Sequence, residues 1–557
     1  MTESKDVALC DWVVQEGRRV SIGRRDFLHV AGLSLAGILA EAAGAPRQDS
    51  AGDSLREARP NILLVMTDQH RFDALGCYGC RAVATPNLDR LARAGALFER
   101  CYSPSPICTP TRASLLTGKH VPGHGVYKLH DVLAEDEVLL PDRLRAMGYE
   151  TTLVGKLHVS GLWEEAVHRH PHDGFEHYHW CIDPGLNFDS PFNAYARWVR
   201  DKDPVFYERL KREGKSLHHF PAALHFSTWA AETTIERIRG RDSKRPFFAL
   251  MSLFDPHDPY YDHPVEAADA VDVAAIALPQ ILPDDPAMPD GVRREHEKSR
   301  GLLRRMLEQE EDIRGLRKGY YASIAFLDAQ IGRVLNCLDE QGLTDQTLVI
   351  FVSDHGDMLF DRGLFCKGGF FYDPSIRVPL LMRWPGRVRA GSRVKELVQH
   401  MDVTATILAA TGYARDQLDA ICPQSMDLVA LAREGQSYDR RRGWAICAFR
   451  NTGYGPGGTY FDPPIHATMF REDRYKLNVY HDLSGDRGTL EGELFDMDND
   501  PRESRNLWRD PNHTEVKVAL LQRILNWSVE NEARLLGSRG GERFRPSVMN
   551  AYRQENQ

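Results

Sequence analysis

Four apolar runs along the chain alternate with segments of helical periodicity, and three of the four end in polar residues. The runs are NILLVMTDQ (61–69), FFALMSLFD (247–255), TLVIFVSDHGD (347–357) and VPLLMRWPG (378–386). Uninterrupted apolar runs of this length are typical of parallel strands that are buried on both faces. The spacing of apolar residues predicts helices over 85–98, 140–149, 228–240 and 319–342. Strands that alternate with helices predict a doubly wound α/β sheet.

The pattern changes from about residue 430. The segments TMFREDRYKLNVYHD (468–482) and GELFDMDNDPRES (492–504) predict short strands joined by turns, and a helix is expected from about 514 to 536. We therefore expect a main domain over 60–429 and a smaller C-terminal α+β subdomain over 430–557.

Three polar segments within the main domain lack this regularity. Residues 258–300 are rich in Pro, Asp and Ala and predict a long loop that can cover a site. The charged run at 293–318 predicts a solvated helix face. The segment HRHPHDGFEHYHW (168–180) holds five histidines but lacks the ligand spacing of a zinc site, and we interpret it as a loop at a pocket rim.

The N-terminal segment has the features of an export signal. Arg24 and Arg25 precede an apolar run over 27–40, which is shorter than the roughly 20 residues of a membrane span. Ala43-Gly44-Ala45 matches a small-residue cleavage site. The paired arginines resemble a twin-arginine signal, so we expect a signal peptide over 1–45, a linker over 46–59, no stable membrane span, and export to the periplasm or beyond by the bacterial twin-arginine machinery. An uncleaved membrane anchor is the alternative.

Composition narrows the function classes. The net charge of −9 argues against a nucleic-acid binder, although an anionic small substrate stays possible in a cationic pocket. Ten cysteines in 557 residues do not form a disulfide scaffold. Cys77 and Cys80 form an isolated CxxC pair, which we interpret as two ordinary thiols or a local bridge.

Acidic residues follow three of the predicted strands, and those after the first and the third are the candidate metal ligands. Asp68 and Gln69 end the first run, and Asp354 and His355 end the third. Ligands of α/β sheets bind outside the carboxyl ends of the strands. Oxygen ligands suit a hard cation, most simply Ca²⁺, and the imidazole of His355 also suits Mn²⁺. The sequence therefore predicts a metal site at this edge.

A cysteine motif identifies a family resemblance. Cys108-Thr109-Pro110-Thr111-Arg112, followed by Leu116-Thr117-Gly118, resembles the C-x-P-S/T-R signature of type I sulfatases. The resemblance implies an alkaline-phosphatase-like fold with a mixed sheet. It also implies that a formylglycine-generating enzyme oxidises Cys108 to formylglycine (3-oxoalanine), whose hydrated form attacks sulfur and then expels sulfate. Without it, Cys108 can be a buried thiol.

The same resemblance assigns roles to further residues. It implies a metal site formed by Asp68, Gln69, Cys108, Asp354 and His355, with Gln69 where the family commonly has a second aspartate. Lys156 and Lys367 would hold the sulfate, His158 would contact the formylglycine, and Arg112 would steady it. His257 would be the general acid for the leaving alcohol. Asp357 is expected to orient its turn rather than bind metal.

These assignments predict a sulfuric ester hydrolase that acts on a sulfated sugar or polysaccharide. The segments SDHGD and DPHDPY resemble those of iduronate-type and polysaccharide sulfatases. A phosphonate or phosphate monoester hydrolase on the same scaffold is an alternative. A choline-sulfatase-type enzyme is another, weakened because Leu129 stands where an asparagine is expected. A non-catalytic sulfoglycan-binding protein would leave Cys108 as a thiol.

Overall fold

The computed structural model describes residues 59–279, 288–308, 313–452, 461–481 and 490–538. The expected signal peptide over 1–45 and the linker up to residue 58 lie outside the described residues. Among the residues that are described, no helix combines the length and apolar character needed to cross a membrane.

An eight-stranded mixed sheet forms the main layer, in the order β4-β3-β5-β1-β6-β7-β2-β8. Its strands are β1 (Asn61–Thr67), β2 (Ala96–Tyr102), β3 (Glu150–Gly155), β4 (His177–Trp180), β5 (Phe247–Ser252), β6 (Thr347–Ser353), β7 (Arg377–Arg383) and β8 (Ser392–Gln399). β1 lies in the centre and pairs in parallel with β5 and β6. Three of the four predicted runs thus form the central parallel strands of the sheet.

Helices cover both faces of this sheet. They are α1 (Pro86–Arg93), α2 (Cys108–Thr117), α3 (Val121–His124), α4 (Leu140–Ala146), α5 (Leu162–Glu165), α6 (Ala194–Lys202), α7 (Pro204–Glu213), α8 (Phe226–Arg239), α9 (Asp290–Glu308), α10 (Ile313–Glu340), α11 (Asp373–Ile376), α12 (His400–Ala410), α13 (Arg415–Ile421) and α14 (Leu428–Glu434). The predicted doubly wound α/β architecture is confirmed.

The alternation of side chains along β1 divides the hydrophobic core into two layers. Leu63 and Val65 pack with residues of α8 and α10 on one face. Ile62 and Leu64 pack with residues of α2 and α12 on the other. Because successive strand residues point to opposite faces, a strand covered on both sides is apolar at every position.

A second, four-stranded antiparallel sheet forms the C-terminal part, in the order β12-β11-β10-β9. Its strands are β9 (Trp444–Arg450), β10 (His466–Glu472), β11 (Tyr475–His481) and β12 (Glu491–Asp496), and helix α15 (Thr514–Ser538) packs against one face. This confirms a smaller C-terminal α+β part, while the boundary at 429/430 remains a prediction. The side chain of Gln399 joins the two sheets, since its amide accepts from and donates to the backbone of Ile446 (3.1 and 2.8 Å).

Two predicted elements differ from the structure. The run at 378–386 forms β7, which is antiparallel to both β6 and β2 rather than parallel. The helix predicted over 85–98 ends at Arg93, because Ala96, Leu97 and Phe98 pair with β7 and β8 as part of β2. A short apolar run does not by itself distinguish a helix end from a buried strand.

The polar segments also hold more structure than expected. The histidine-rich segment contains the edge strand β4, and the predicted loop over 258–300 becomes helical at Asp290. The charged run at 293–318 is not a uniformly solvated face. Glu295 is buried and accepts a hydrogen bond from the backbone N–H of Gly369 (2.7 Å), and Arg317 is buried against the carbonyl of Leu359.

Candidate active site

The ends of two neighbouring parallel strands place the acidic residues side by side. Asp68 follows β1, and Asp354 follows β6. The backbone N–H of Asp354 donates to the carbonyl of Thr67 (3.2 Å), the last residue of β1. Gln69 turns the chain away from the sheet in a left-handed conformation (φ 65°). Such strain in a residue other than glycine is concentrated at functional sites.

Cys108 lies at the first position of α2, after the extended residue Ile107. It is 2% exposed. Ligand atoms of Cys108, Asp354 and His355 all lie within 4.8 Å of one another. Arg112 follows Cys108 by four residues, which places both side chains on the same side of the helix.

The guanidinium of Arg112 connects the two carboxylates. Its Nε donates to Oδ2 of Asp354 (2.8 Å), and one terminal nitrogen donates to Oδ2 of Asp68 (3.1 Å). The other terminal nitrogen donates to the carbonyl of Lys156 and to Oγ of Ser252 (3.0 and 2.8 Å). All of these groups are buried, so Arg112 fixes the two carboxylates in position.

Lys156 enters the site from the end of β3. The preceding Gly155 has a φ of 108°, and a Cβ there would lie 1.9 Å from the carbonyl oxygen of Ser252, so only glycine allows this approach. Nζ of Lys156 lies 2.7 Å from Oδ2 of Asp68. The same ammonium lies 5.6 Å from the centre of the Phe254 ring.

Two buried atoms near Asp68 that make no hydrogen bond with the described residues are suited to bind a metal ion. Oδ1 of Asp68 and Nε2 of His355 are buried, 3.7 Å apart, and have no hydrogen-bond partner among the described residues. Nε2 of His355 also lies 3.7 Å from Oδ1 of Asp354. Nδ1 of His355 lies 3.0 Å from the carbonyl of Gly356 and donates to it, so Nε2 is the ring nitrogen available to a metal.

The side-chain amide of Gln69 is hydrogen-bonded to four residues next to the candidate metal site. Its Oε1 accepts from Nζ of Lys367 (2.8 Å). Its Nε2 donates to Oδ2 of Asp357 (2.6 Å), to the hydroxyl of Tyr260 (3.1 Å) and to Oδ1 of Asp258 (3.3 Å). With its amide nitrogen so occupied, the amide presents only its oxygen to the site.

His257 and Lys367 contact each other, and both lie 3.9 Å from Oδ1 of Asp68. Nδ1 of His257 lies 2.8 Å from the carbonyl of Asp258, and Nε2 accepts from Nζ of Lys367 (2.9 Å). The ring of His257 stacks on Phe254 at 4.8 Å. The imidazole is therefore fixed in plane and orientation, with Nε2 directed at the space near Asp68.

His158 contacts Thr109, the residue that follows Cys108. Its Nε2 lies 3.0 Å from Oγ1 of Thr109, and its backbone has a left-handed φ of 55°. The carboxylate of Glu165 accepts from the backbone N–H groups of residues 158, 159 and 160 (2.7–3.0 Å). Glu165 thus holds the strained turn that carries His158.

The charges of the site shift its pKa values strongly. Burial alone would raise the pKa of Asp68, but Lys156, His257, Lys367 and Arg112 outweigh it and lower that pKa well below its usual value. Burial likewise opposes ionisation of the Cys108 thiol, yet Lys156 and Lys367 lower its pKa. Burial, and then Lys367, lower the pKa of His257. The cations around Asp68 and Cys108 therefore favour a negatively charged group at each of these two positions.

The structure brings all the predicted site residues into one region. The predicted set comprises Asp68, Gln69, Cys108, Arg112, Lys156, His158, His257, Asp354, His355 and Lys367. Asp357 accepts from the backbone N–H of Leu359 (2.8 Å) as well as from Gln69, which matches its expected place in a turn.

Asp258, Tyr260 and Glu165 also contribute to the site, and none of the three was predicted from the sequence. Asp258 and Tyr260 stand in the DPHDPY segment beside His257, so the segment itself carried a signal for them. Glu165 lies in a short helix without a recognisable motif, and only the folded chain shows its contacts with residues 158–160.

Two family models match the chain. The model described as Sulfatase matches residues 60–413. A second model, described as N-sulphoglucosamine sulphohydrolase, C-terminal, matches residues 361–530. Together the two matches span both sheets.

Curated proteins with similar sequences cover most of the chain. An arylsulfatase of Clostridium perfringens is 29% identical over 487 residues (84% of this chain, 94% of the relative). An N-acetylglucosamine-6-O-sulfatase of Bacteroides thetaiotaomicron is 25% identical (83% and 85%). The human iduronate 2-sulfatase is also 25% identical (86% and 96%).

Solved structures share the fold. A phosphonate monoester hydrolase of Agrobacterium radiobacter aligns with a TM-score of 0.67 at 24% identity, covering 85% of this chain and 96% of that one. A structure solved with D-glucosamine-2-N,6-O-disulfate aligns with a TM-score of 0.66 at 22% identity, covering 85% and 98%.

Proposed function

The chain belongs to the sulfatase family, and we propose that it uses a divalent cation and a formylglycine at position 108 to hydrolyse a sulfate ester of a sugar. It is a sulfatase, with the alkaline-phosphatase-like fold of that family. One observation carries the proposed mechanism: Cys108 is buried beside Asp354 and His355, and Oδ1 of Asp68 and Nε2 of His355, 3.7 Å apart, have no hydrogen-bond partner among the described residues.

The cation would be held by Asp68, Asp354 and His355. The amide oxygen of Gln69, which accepts from Lys367 in this structure, would be the fourth ligand after releasing that hydrogen bond. Two carboxylates, an amide oxygen and an imidazole suit Ca²⁺ and also admit Mn²⁺. A bound cation would polarise an oxygen of the sulfate group and stabilise negative charge there. Arg112 bonds to Oδ2 of both carboxylates, which would leave Oδ1 of each available to the cation.

Position 108 would supply the nucleophile after oxidation of Cys108 by a separate formylglycine-generating enzyme. A hydrated aldehyde provides one hydroxyl for attack and a second whose deprotonation releases sulfate. The lowered pKa of the Cys108 thiol shows that its surroundings favour a negatively charged group at this position. His158, 3.0 Å from Thr109, lies where it can bind such a hydroxyl.

Lys156, Lys367 and His257 would act on the substrate. The two ammonium groups hold sulfate oxygens and stabilise the charge that develops on them. His257 is neutral while Lys367 donates to its Nε2, since burial and Lys367 both lower its pKa. A bound sulfate would draw Lys367 away and add negative charge beside the ring. Both effects favour the protonated imidazole that a leaving alcohol requires.

A sugar is the substrate class that the relatives support. The names of two curated relatives refer to N-acetylglucosamine and iduronate sulfates. We infer a sulfated sugar or glycan for this chain as well. The N-terminal sequence supports export by the twin-arginine machinery to the periplasm or beyond, where such glycans are found.

The first test is the mass of the tryptic peptide 101–112, from protein made with and without a formylglycine-generating enzyme. We expect conversion of the thiol to an aldehyde at Cys108, and fragmentation separates Cys108 from Cys101. Turnover of 4-nitrophenyl sulfate should rise with the converted fraction. An intact thiol at Cys108, in a host that converts a control sulfatase, would contradict the proposed nucleophile and favour a binding protein.

A second test keeps 4-nitrophenol as the leaving group and varies the acid group that is transferred from it. We expect 4-nitrophenyl sulfate to give a higher kcat/KM than the matched phosphate and phenylphosphonate esters. Faster hydrolysis of the phosphonate would instead support a phosphonate monoester hydrolase. Hydrolysis of choline sulfate in preference to glucosamine 6-sulfate would overturn the sugar assignment.

A further inference from the structure

Three basic side chains lie in a row across the C-terminal sheet. Arg450 at the end of β9 pairs directly with His466 of β10, and His466 pairs directly with His481 of β11. Residues that are directly opposite in antiparallel strands share a face and lie about 5 Å apart. Arg450 carries the positive charge of this row, because the pKa values of His466 and His481 are both lowered to about 4 and the two rings are neutral near pH 7.

The positive charge of this row has no counter-charge among the described residues. The guanidinium of Arg450 donates to the carbonyls of Phe449 and Ala467 (2.9 and 2.7 Å) and to Oγ1 of Thr468 (3.3 Å), all neutral acceptors. Burial, then Arg450 and Lys128, lower the pKa of His466 to about 4. A neutral His466 can donate a hydrogen bond to an anion, while Arg450 and Lys128 supply the positive charge beside it.

Lys128 adds a fourth basic group to the row. Its side chain is half-buried and makes no hydrogen bond or ion pair with the described residues. The nearby carboxylate of Asp131 instead accepts from the backbone N–H groups of Tyr127 and Lys128 (2.9 Å each). The ring of Tyr127 lies 5.8 Å from the guanidinium of Arg450. Asp131 therefore fixes the loop that carries Lys128 beside the row.

The loop also connects this cluster to the candidate nucleophile. The carbonyl of Leu129 accepts from Oγ1 of Thr109 (3.0 Å), and its N–H donates to Oγ1 of Thr452 (2.7 Å). Because successive Cα atoms are about 3.8 Å apart, the Cα of Lys128 lies within about 15 Å of the Cα of Cys108. A neighbouring unit of an oligosaccharide bound at Cys108 can reach that far.

We propose that Lys128, Arg450 and His466 form a second anion subsite, which binds a sulfate or carboxylate on a sugar unit next to the one that is hydrolysed. This inference rests on the proposed function and specifies its substrate: a glycan with at least two anionic groups rather than a singly sulfated monosaccharide. Lys128 supplies a half-buried ammonium, and Arg450 supplies a positive charge that its neutral acceptors do not cancel.

The test measures how oligosaccharides inhibit turnover of 4-nitrophenyl sulfate by the full, converted enzyme. The inhibitors are glucosamine 6-sulfate, a heparin tetrasaccharide, and an unsulfated uronate-containing tetrasaccharide. The variants are Lys128→Ala and Arg450→Gln, and Lys395→Ala, an exposed lysine on β8, is the matched loss of one charge. Melting temperatures establish that each variant is folded.

We expect Lys128→Ala to raise the inhibition constant of the heparin tetrasaccharide about tenfold or more, since one charge-assisted hydrogen bond is lost. In Lys128→Ala, the turnover of 4-nitrophenyl sulfate and its inhibition by glucosamine 6-sulfate should match the wild type. In Lys395→Ala, the inhibition constant of the heparin tetrasaccharide should also match the wild type. An effect on the unsulfated tetrasaccharide as well assigns the subsite to carboxylates, and an effect on heparin alone assigns it to sulfates.

Equal inhibition constants for wild type and Lys128→Ala would overturn the subsite while leaving the sulfatase function intact. If no variant and no wild type hydrolyses 4-nitrophenyl sulfate after confirmed conversion, the proposed function itself fails. If Lys128→Ala and Lys395→Ala weaken heparin binding equally, the effect is one of general charge, and the subsite is again overturned.

Discussion

Replacement of Lys156 by alanine removes an ammonium from the centre of the pocket. Nζ of Lys156 lies 2.7 Å from Oδ2 of Asp68, and both side chains are almost completely buried. Hydrogen bonds to charged groups contribute about 1.5–3 kcal/mol. If the ammonium holds a sulfate oxygen in the transition state, its loss lowers kcat/KM by about 10- to 150-fold.

The fold should survive this change because Arg112 still pairs with Asp68 at 3.1 Å. The assay is hydrolysis of 4-nitrophenyl sulfate by metal-saturated, converted enzyme, with melting temperature measured in parallel. Lys395→Ala, which removes an exposed lysine, controls for the change in net charge. A folded Lys156→Ala enzyme that keeps kcat/KM within threefold would refute the reasoning, because it would show that this ammonium does not contact the reacting group.

Three further outcomes are expected. Arg442→Met should destabilise the protein by about 3–5 kcal/mol in urea unfolding, since it leaves buried Asp402 without its two 2.9 Å bonds, and adding Asp402→Asn should recover part of the loss. Burial lowers the pKa of His400 from 6.5 to about 4. As the pH falls, the imidazole of residue 400 is therefore protonated in the unfolded chain before it is protonated in the folded one, and the free energy of unfolding falls by at most about 3 kcal/mol between pH 7 and pH 4. If the free energy of unfolding of His400→Gln depended equally on pH, His400 would not be the origin of this effect. A chelator should abolish turnover and Ca²⁺ or Mn²⁺ should restore it, but not in Asp354→Asn; full activity in excess chelator would argue against the cation.

The main features of the fold were predictable because they depend on local pattern. The run that ends at Asp68 is apolar over residues 62–66, as expected of a strand covered on both faces, and in the structure this strand lies in the centre of the sheet. The direction of β7 was not predictable, because an apolar run carries no information about which way its strand runs. The boundary near Arg93 depends on pairing of Ala96–Phe98 with distant strands, which local periodicity does not report.

The candidate site was predictable as far as its residues stand in short motifs. Cys108 and Arg112 are four residues apart in one helix, and Asp354 and His355 are adjacent. The contacts of Gln69 with Asp258, Tyr260 and Lys367 join residues up to 298 positions apart. Such contacts follow only from the folded chain, as does the row formed by Arg450 and the two histidines.

The left-handed backbone at Gln69 and His158 recurs at Cys366, directly before Lys367 (φ 54°). Each such residue costs about 1–3 kcal/mol, so the three together approach the net stability of an ordinary domain. The pocket therefore exists before any substrate arrives, and the surrounding sheet supplies the stability that keeps it in shape. For protein engineering this sets opposing aims: glycine at these positions would relax the backbone and raise thermal tolerance, and would remove two of the side chains on which turnover depends.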